Sequence, residues 1–419
     1  MRLVASILAV FAMLATATPA QAAPPRLPDD FLWGVASSGF QSEGYAPPSN
    51  WTRYIAQGKV EHPYQNSVDF YHRYPDDIAL ARQLGVKVYR IGLEWARVQP
   101  QPGVWDENGF AFYDKVIRTI KAAGMRPMVT LDHWVYPAWA PGWNNPEMTE
   151  RWLTYATAAV DRFSRYEPLW VTINEPAAYV AQETSKGGLP VTAVPTMFAR
   201  LAQVHNAIYD RIHAVQPRAM VTSNVAYVPV AMPVIDGQFL DKVKLDFVGI
   251  DYYYGLSPAH PNAHEALTGQ LWNAPLEPEG IYHALKFYAR KYPDKPLYIV
   301  ETGMPTRDGS RADGYRRGDN LRDSVYWVQR AKADGMNVIG YNYWSLTDNY
   351  EWGSYAPRFG LYTVDVLGDP TLTRRPTDAV AAYREAIARG GVAPGYQPTR
   401  APVWCSLVDA PFSCTEPVR

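Results

Sequence analysis

Two glutamates sit where a carboxylate is costly. Glu175 follows the apolar run Trp170-Val171-Thr172-Ile173 and Asn174, and Glu301 follows Leu297-Tyr298-Ile299-Val300. A charged group directly behind a strand-like apolar segment must be hydrogen-bonded, paired or put to chemical use. An ion pair closing the core accounts for either glutamate alone and poorly for both together. Two carboxyl groups facing one pocket can divide the work of breaking a glycosidic bond. One attacks the anomeric carbon; the other protonates the leaving oxygen and then activates water. Spacing along the sequence does not give their separation in space, so retention and inversion both stay open at this level.

Chemistry of this kind needs a frame that brings distant strand ends together. Eight short β-rich runs are predicted, at 32–36, 86–92, 127–131, 170–173, 220–224, 247–251, 297–300 and 338–343. Several are continuously apolar, as expected of strands covered on both faces. Helical patterns lie between them. Met197, Leu201, Val204, Ile208, Ile212 and Val215 recur at spacings of three and four, between Pro195 and Pro217. Ile78, Ala81 and Leu84 form a similar stripe closed by Gly85, and further helices are predicted over 108–123, 146–166, 279–291, 320–334 and 377–388. This alternation predicts an α/β fold, a single (β/α)8 TIM barrel over residues 23–390, with its site at the C-terminal ends of the strands. Polar and aromatic residues do gather there. Gln41 and Glu43 follow the first run, and Arg90 lies near the end of the second. His133 and Trp134 follow the third, Asn174 and Glu175 the fourth, and Asp251 to Tyr253 end or follow the sixth. Glu301 follows the seventh, and Trp344 to Trp352 the eighth.

Set in that order, the motifs are familiar. The chain resembles glycoside hydrolase family 1, the β-glucosidase family, along nearly its whole length. The resemblance rests on Phe31-Leu32-Trp33-Gly34 with Phe40-Gln41-Ser42-Glu43-Gly44, on Thr172-Ile173-Asn174-Glu175-Pro176, and on Phe247-Val248-Gly249-Ile250-Asp251-Tyr252-Tyr253. It also rests on Trp344-Ser345-Leu346-Thr347-Asp348-Asn349-Tyr350-Glu351-Trp352 with Arg358-Phe359-Gly360. The resemblance implies a retaining, exo-acting β-glycosidase in which Glu301 is the nucleophile and Glu175 the acid/base. It further implies that Gln41, His133, Asn174, Glu351 and Trp352 hold sugar hydroxyls, that Trp344 is a stacking floor, and that Arg90 and Tyr253 contact Glu301. No cofactor and no metal are implied. The chain departs from the family pattern at Thr302, where Asn is usual, and at Asp251, which stands where the family carries Asn. It is also short for the family, so strand-to-helix loops that build the aglycone side must be trimmed.

Other readings exist for each residue and for the whole. His133 suits a core histidine, Trp344 and Trp352 suit core aromatics, Gln41 and Asn174 suit loop caps, and Arg90 suits an ion pair with Glu94. A transglycosidase of the same family, a silent sugar-binding barrel and an endo-acting glycanase are the competing functions. The presence of both glutamates argues against the silent barrel, and the closing Glu351-Trp352 segment against the endo-acting one.

The bulk properties allow one α/β barrel with a large core. The 419 residues are 47% hydrophobic with a formal net charge of −1, which argues against a nucleic-acid or anionic-membrane partner. A small-molecule glycoside is the expected partner; the sequence fixes no oligomeric state. Arg2, the apolar run 3–15 and Ala20-Gln21-Ala22 read as a signal peptide over 1–22, and hence as export. The Pro-rich tail 391–419 holds the two cysteines, Cys405 and Cys414, whose closeness predicts a disulfide in an exported protein.

Overall fold

The computed structural model describes residues 24–261, 270–416 and 418; the predicted leader 1–22 lies outside the described residues. Nine parallel strands form one sheet: β1 Leu32–Ala36, β2 Val88–Gly92, β3 Arg126–Asp132, β4 Leu169–Ile173, β5 Met220–Thr222, β6 Val225–Ala226, β7 Val248–Asp251, β8 Leu297–Glu301 and β9 Val338–Trp344. β1 pairs with β2 on one side and with β9 on the other, so Gly34 lies opposite both Val88 and Asn342. β5 bonds only β4, and β6 only β7. Ser223 and Asn224 alone separate β5 from β6, so the chain itself closes the ring. β5 and β6 are two halves of one barrel strand, and the architecture is the expected (β/α)8 barrel.

The predicted unbroken fifth strand, 220–224, is corrected by this break. The hydroxyl of Ser223 donates to the carbonyl of Ile173 at 2.6 Å, and the carbonyl of Asn224 accepts from the amide of Glu175 at 3.1 Å. These two residues have left the ladder to serve the end of β4.

Inside the barrel Val88, Met128, Leu169, Val171, Phe247, Tyr298 and Val300 form a packed apolar floor. Side chains alternate along a strand, so the face that carries Val88 next carries Arg90. The floor therefore gives way to a buried guanidinium at the top. On β8 the same alternation would send Glu301 outward, because Val300 faces in. The register shifts there: Ile250 lies opposite Ile299, and Asp251 opposite Glu301. Val300 is the extra residue of a bulge, and the bulge turns Glu301 into the barrel.

Helices cover the outside, among them Phe70–Leu84, Glu107–Ala122, Glu147–Phe163, Val194–Val215, Gly280–Lys291, Arg317–Ala333 and Asp378–Arg389, each burying an apolar stripe against the strands. After them the tail runs back over the surface. The Val403 amide donates to Glu279 at 3.0 Å, the Leu407 amide to the carbonyl of Leu256 at 2.7 Å, and the Tyr227 hydroxyl to the carbonyl of Val408 at 2.6 Å. Cys405 and Cys414 are joined as a disulfide. Closing so short a loop contributes on the order of 2–3 kcal/mol. Replacing both cysteines by serine is expected to lower the melting temperature while leaving kcat nearly unchanged. Intact mass with and without reductant checks the bridge, and two free thiols in the native protein would refute it.

Candidate active site

The site is assembled at the C-terminal rim of the barrel. Arg90, fully buried on β2, donates through one terminal nitrogen to Glu301, through the other to the Asn174 amide oxygen, and through Nε to Thr130 at 2.9 Å. The second oxygen of Glu301 accepts the Tyr253 hydroxyl at 2.7 Å. Both oxygens are thus fixed by donors, and the guanidinium balances the charge of the carboxylate. Arg90 is not paired with Glu94, whose carboxylate accepts the Phe40 amide at 2.7 Å.

Glu175 is placed by backbone constraint. It is the N-cap of the helix Pro176–Ser185 and has a φ of 39°, in the left-handed region that a non-glycine residue seldom occupies. Pro176 starts the helix on the next residue, and this sharp turn aims the carboxyl across the barrel. Burial first, and the negative charge of Glu301 second, push its pKa up to about 8. Its proton is therefore held more tightly than that of an exposed carboxyl. One carboxyl oxygen each from Glu175, Asp251 and Glu301 lies within 4.8 Å of the others. An inverting pair stands about 6.5–9.5 Å apart to admit a water, and a retaining pair about 5–5.5 Å. Carboxyls this close agree with the shorter, retaining arrangement. Among the described residues these three carboxyls are the one group close enough to share a metal ion, and Arg90 already supplies a positive charge there.

Around the carboxyls runs an amide network. The Asn174 side-chain oxygen accepts from Arg90 and from the Asn224 amide, the latter at 2.7 Å. Its nitrogen therefore faces Nε2 of His133, at 3.3 Å, and His133 must accept there. Burial, then the charge of Arg90, hold the His133 pKa well below the usual range. A neutral ring accepting at Nε2 carries its proton on Nδ1, which is buried and without a protein partner. On the opposite wall Gln41 donates to Glu351 at 3.0 Å and Trp344 donates to the other oxygen of Glu351 at 2.7 Å. Burial raises the Glu351 pKa to about 7. Trp344 stacks on His133 with ring centres 5.8 Å apart, and the half-exposed Trp352 lies against Trp134 at 4.8 Å.

All the predicted site residues line one cavity of about 1090 Å³ except Arg90 and Asn174, which stand behind its wall. Asn174 stands behind that wall, its amide bonded to Arg90, Asn224 and His133. The sequence reading gave no site role to Asp251, Asn224 or Trp134, nor to the residues at the cavity mouth, Lys59, Lys186, Val228, Tyr254, Trp272 and Arg307. Asn224 had a signal: it ends the fifth predicted run, and Asn174 directly follows the fourth.

Comparisons with known proteins agree with this geometry. The profile described as "Glycosyl hydrolase family 1" matches residues 23–232 and 256–392. Beta-glucosidase A of Thermotoga maritima is 28% identical, over 88% of this chain and 99% of that one. The 1,4-beta-D-glucan glucohydrolase of Thermotoga neapolitana is 27% identical, over 81% of this chain and 98% of that one. Among solved structures, a beta-glycosidase from Pyrococcus horikoshii superposes with a TM-score of 0.76 at 27% identity, over 88% of this chain and 96% of that one. With that match over most of its length and two close carboxyls at the barrel rim, one of them held by an arginine, the chain belongs to glycosyl hydrolase family 1 and is a retaining O-glycosyl hydrolase.

Proposed function

We propose that the enzyme removes the terminal non-reducing β-D-glucosyl residue from small glycosides, with Glu301 as nucleophile and Glu175 as acid/base. The observation that carries the role assignment is the asymmetry of the two carboxyls. Glu301 accepts from Arg90 and Tyr253, while Glu175 is pushed up to about 8 and keeps its proton. The Glu301 oxygen attacks C1 as the Glu175 proton passes to the leaving oxygen, and the glycosidic C–O bond breaks. Glu175, now ionised, takes a proton from water, whose oxygen attacks C1 and releases Glu301. Two displacements return the β-configuration.

Glucose as the glycone is supported by the names of the relatives and by the polar wall. Glu351, Gln41 and His133 line the cavity and can together meet the hydroxyls of a neutral sugar, with Trp344 beneath the ring. A phosphorylated sugar is disfavoured because Glu351 would repel a dianion, and the stretch Gly353-Ser354-Tyr355-Ala356-Pro357 offers no lysine. Export is the reading favoured by Arg2, the apolar run 3–15 and Ala20-Gln21-Ala22.

A panel of aryl β-glycosides tests the reading, with product anomers followed by NMR. The glucoside is expected to be cleaved faster than its 6-phosphate, and the β-anomer to appear first. Faster cleavage of the phosphosugar, or a first-formed α-anomer, would overturn it.

A further inference from the structure

The third carboxyl of the site, Asp251, has no part in the two displacements. It ends β7, is 1% exposed, and lies opposite Glu301 in the sheet register. One of its oxygens accepts from the Asn224 amide; the other is buried and, among the described residues, meets no amide, hydroxyl or guanidinium donor, only the neighbouring carboxyl of Glu175. One of its oxygens lies within 4.8 Å of an oxygen of Glu175 as well as of Glu301. Arg90, the only guanidinium in this cluster among the described residues, is bonded to Glu301 and Asn174. Two buried carboxylates this close, without a cation between them, do not both ionise readily.

We infer that Asp251 and Glu175 hold one proton between them in the resting enzyme, so that Asp251 is a positioning residue for the proton of the acid/base. This rests on Glu175 having that role. The other titratable or charged groups facing the pair are Glu301, Arg90, Tyr253, Tyr254, the neutral His133 and, farther off, Glu351. Burial first and the charges of Glu301 and Glu175 next raise Asp251 well above the usual range, so the proton belongs to the pair and not to either residue.

Charge balances through the cycle. Before attack, Glu301 is ionised and the pair carries one negative charge. In glycosylation Glu301 becomes a neutral ester, the shared proton leaves with the aglycone oxygen, and the pair carries two. Negative charge has moved from Glu301 to the pair while the total is unchanged. The doubly charged pair then takes a proton from the attacking water and returns to its first state. Repulsion from Asp251 thus keeps Glu175 protonated to higher pH in the first step and makes it a stronger base in the second.

The test is the pH profile of kcat/KM on an aryl glucoside with a poor leaving group, in wild type, Asp251→Asn, Asp251→Ser and Asp251→Glu. Removing the charge lowers the proton affinity of Glu175. The alkaline limb is therefore expected to move to lower pH by about one unit in both neutral variants and to stay in place in the Glu variant. On a dinitrophenyl glucoside, where release of the sugar limits the rate, kcat of the neutral variants is expected to fall about threefold through the weaker base. Labelling with a 2-deoxy-2-fluoro glucoside counts intact nucleophiles in each preparation. An alkaline limb that stays put in labelled neutral variants would overturn the inference. So would failure of both neutral variants to label, which would make Asp251 a structural residue. Failure of the acid/base assignment would show separately, as an alkaline limb that persists unchanged in Glu175→Gln.

Discussion

Glu301→Gly is expected to lose turnover on every glycoside, good leaving group or poor, by roughly five to six orders of magnitude. The reason is geometric. The bulge at Val300 turns Glu301 inward, where Arg90 and Tyr253 fix both of its oxygens, and no neighbouring group stands ready to replace the carboxylate as attacking atom. Asp251 and Glu175 lie close, but the one charge they carry is tied up in the proton they share, so neither is free to attack in place of Glu301. The substitution leaves a small space beside a buried guanidinium, which favours entry of a small anion. Added formate or azide is expected to attack an activated β-glucosyl fluoride or dinitrophenyl glucoside from that side and give the α-product. NMR of the rescued product checks the assignment. A β-product, or near-normal activity without added anion, would show that Glu301 is not the nucleophile.

Glu175→Ala is expected to separate substrates by their leaving groups. Alkyl glucosides need the proton and should lose about 10³–10⁴-fold in kcat/KM. Dinitrophenyl glucosides need none, so they should still load Glu301 and then stall, because no base activates water. The measurement is a stopped-flow burst of dinitrophenolate followed by a slow steady state. Azide is expected to accelerate the second phase and to yield the β-glucosyl azide, since this second displacement again inverts. The pH profile gives an independent check. In the wild type, activity on poor leaving groups should fall as pH rises through the region of about 8, where the Glu175 proton is lost. That limb should be absent in Glu175→Ala. Equal losses on all leaving groups would refute the role.

Most of the frame was legible because parallel strands buried on both faces write continuous apolar runs, and because a carboxylate directly behind such a run is conspicuous. Glu175 and Glu301 were found this way, and the amide and aromatic residues after β1, β3 and β9 followed from the rule that sites lie at strand ends. What was not legible depends on departures from regular geometry. Strict alternation points Glu301 out of the barrel, and only the extra residue at Val300 points it in. Asn224 lay hidden because the fifth strand reads as one run, although its ladder breaks at Ser223. Asp251 stood out as an unusual residue, yet its facing toward Glu175 is a property of three strands at once. Trp272 in a single 3-10 turn, Lys186 at a helix end and Arg307 in a loop line the same cavity, and no period marks which of such residues turn inward.

The ring is sealed by β1 against β9, and the polar wall by a bond from Gln41 to Glu351, partners separated by almost the whole chain. A polypeptide emerging from its first residue therefore delivers Glu175 and then Glu301 well before the strand that completes their surroundings. In that interval the two are ordinary solvated acids, without the desolvation or the cavity walls on which their chemistry depends. Hydrolytic power does not accumulate with length; it arrives in one late step, when the last strand finds the first. An enzyme wired in this way stays inert during its own synthesis, and a truncated copy ending before Trp344 would carry both glutamates without a closed pocket around them.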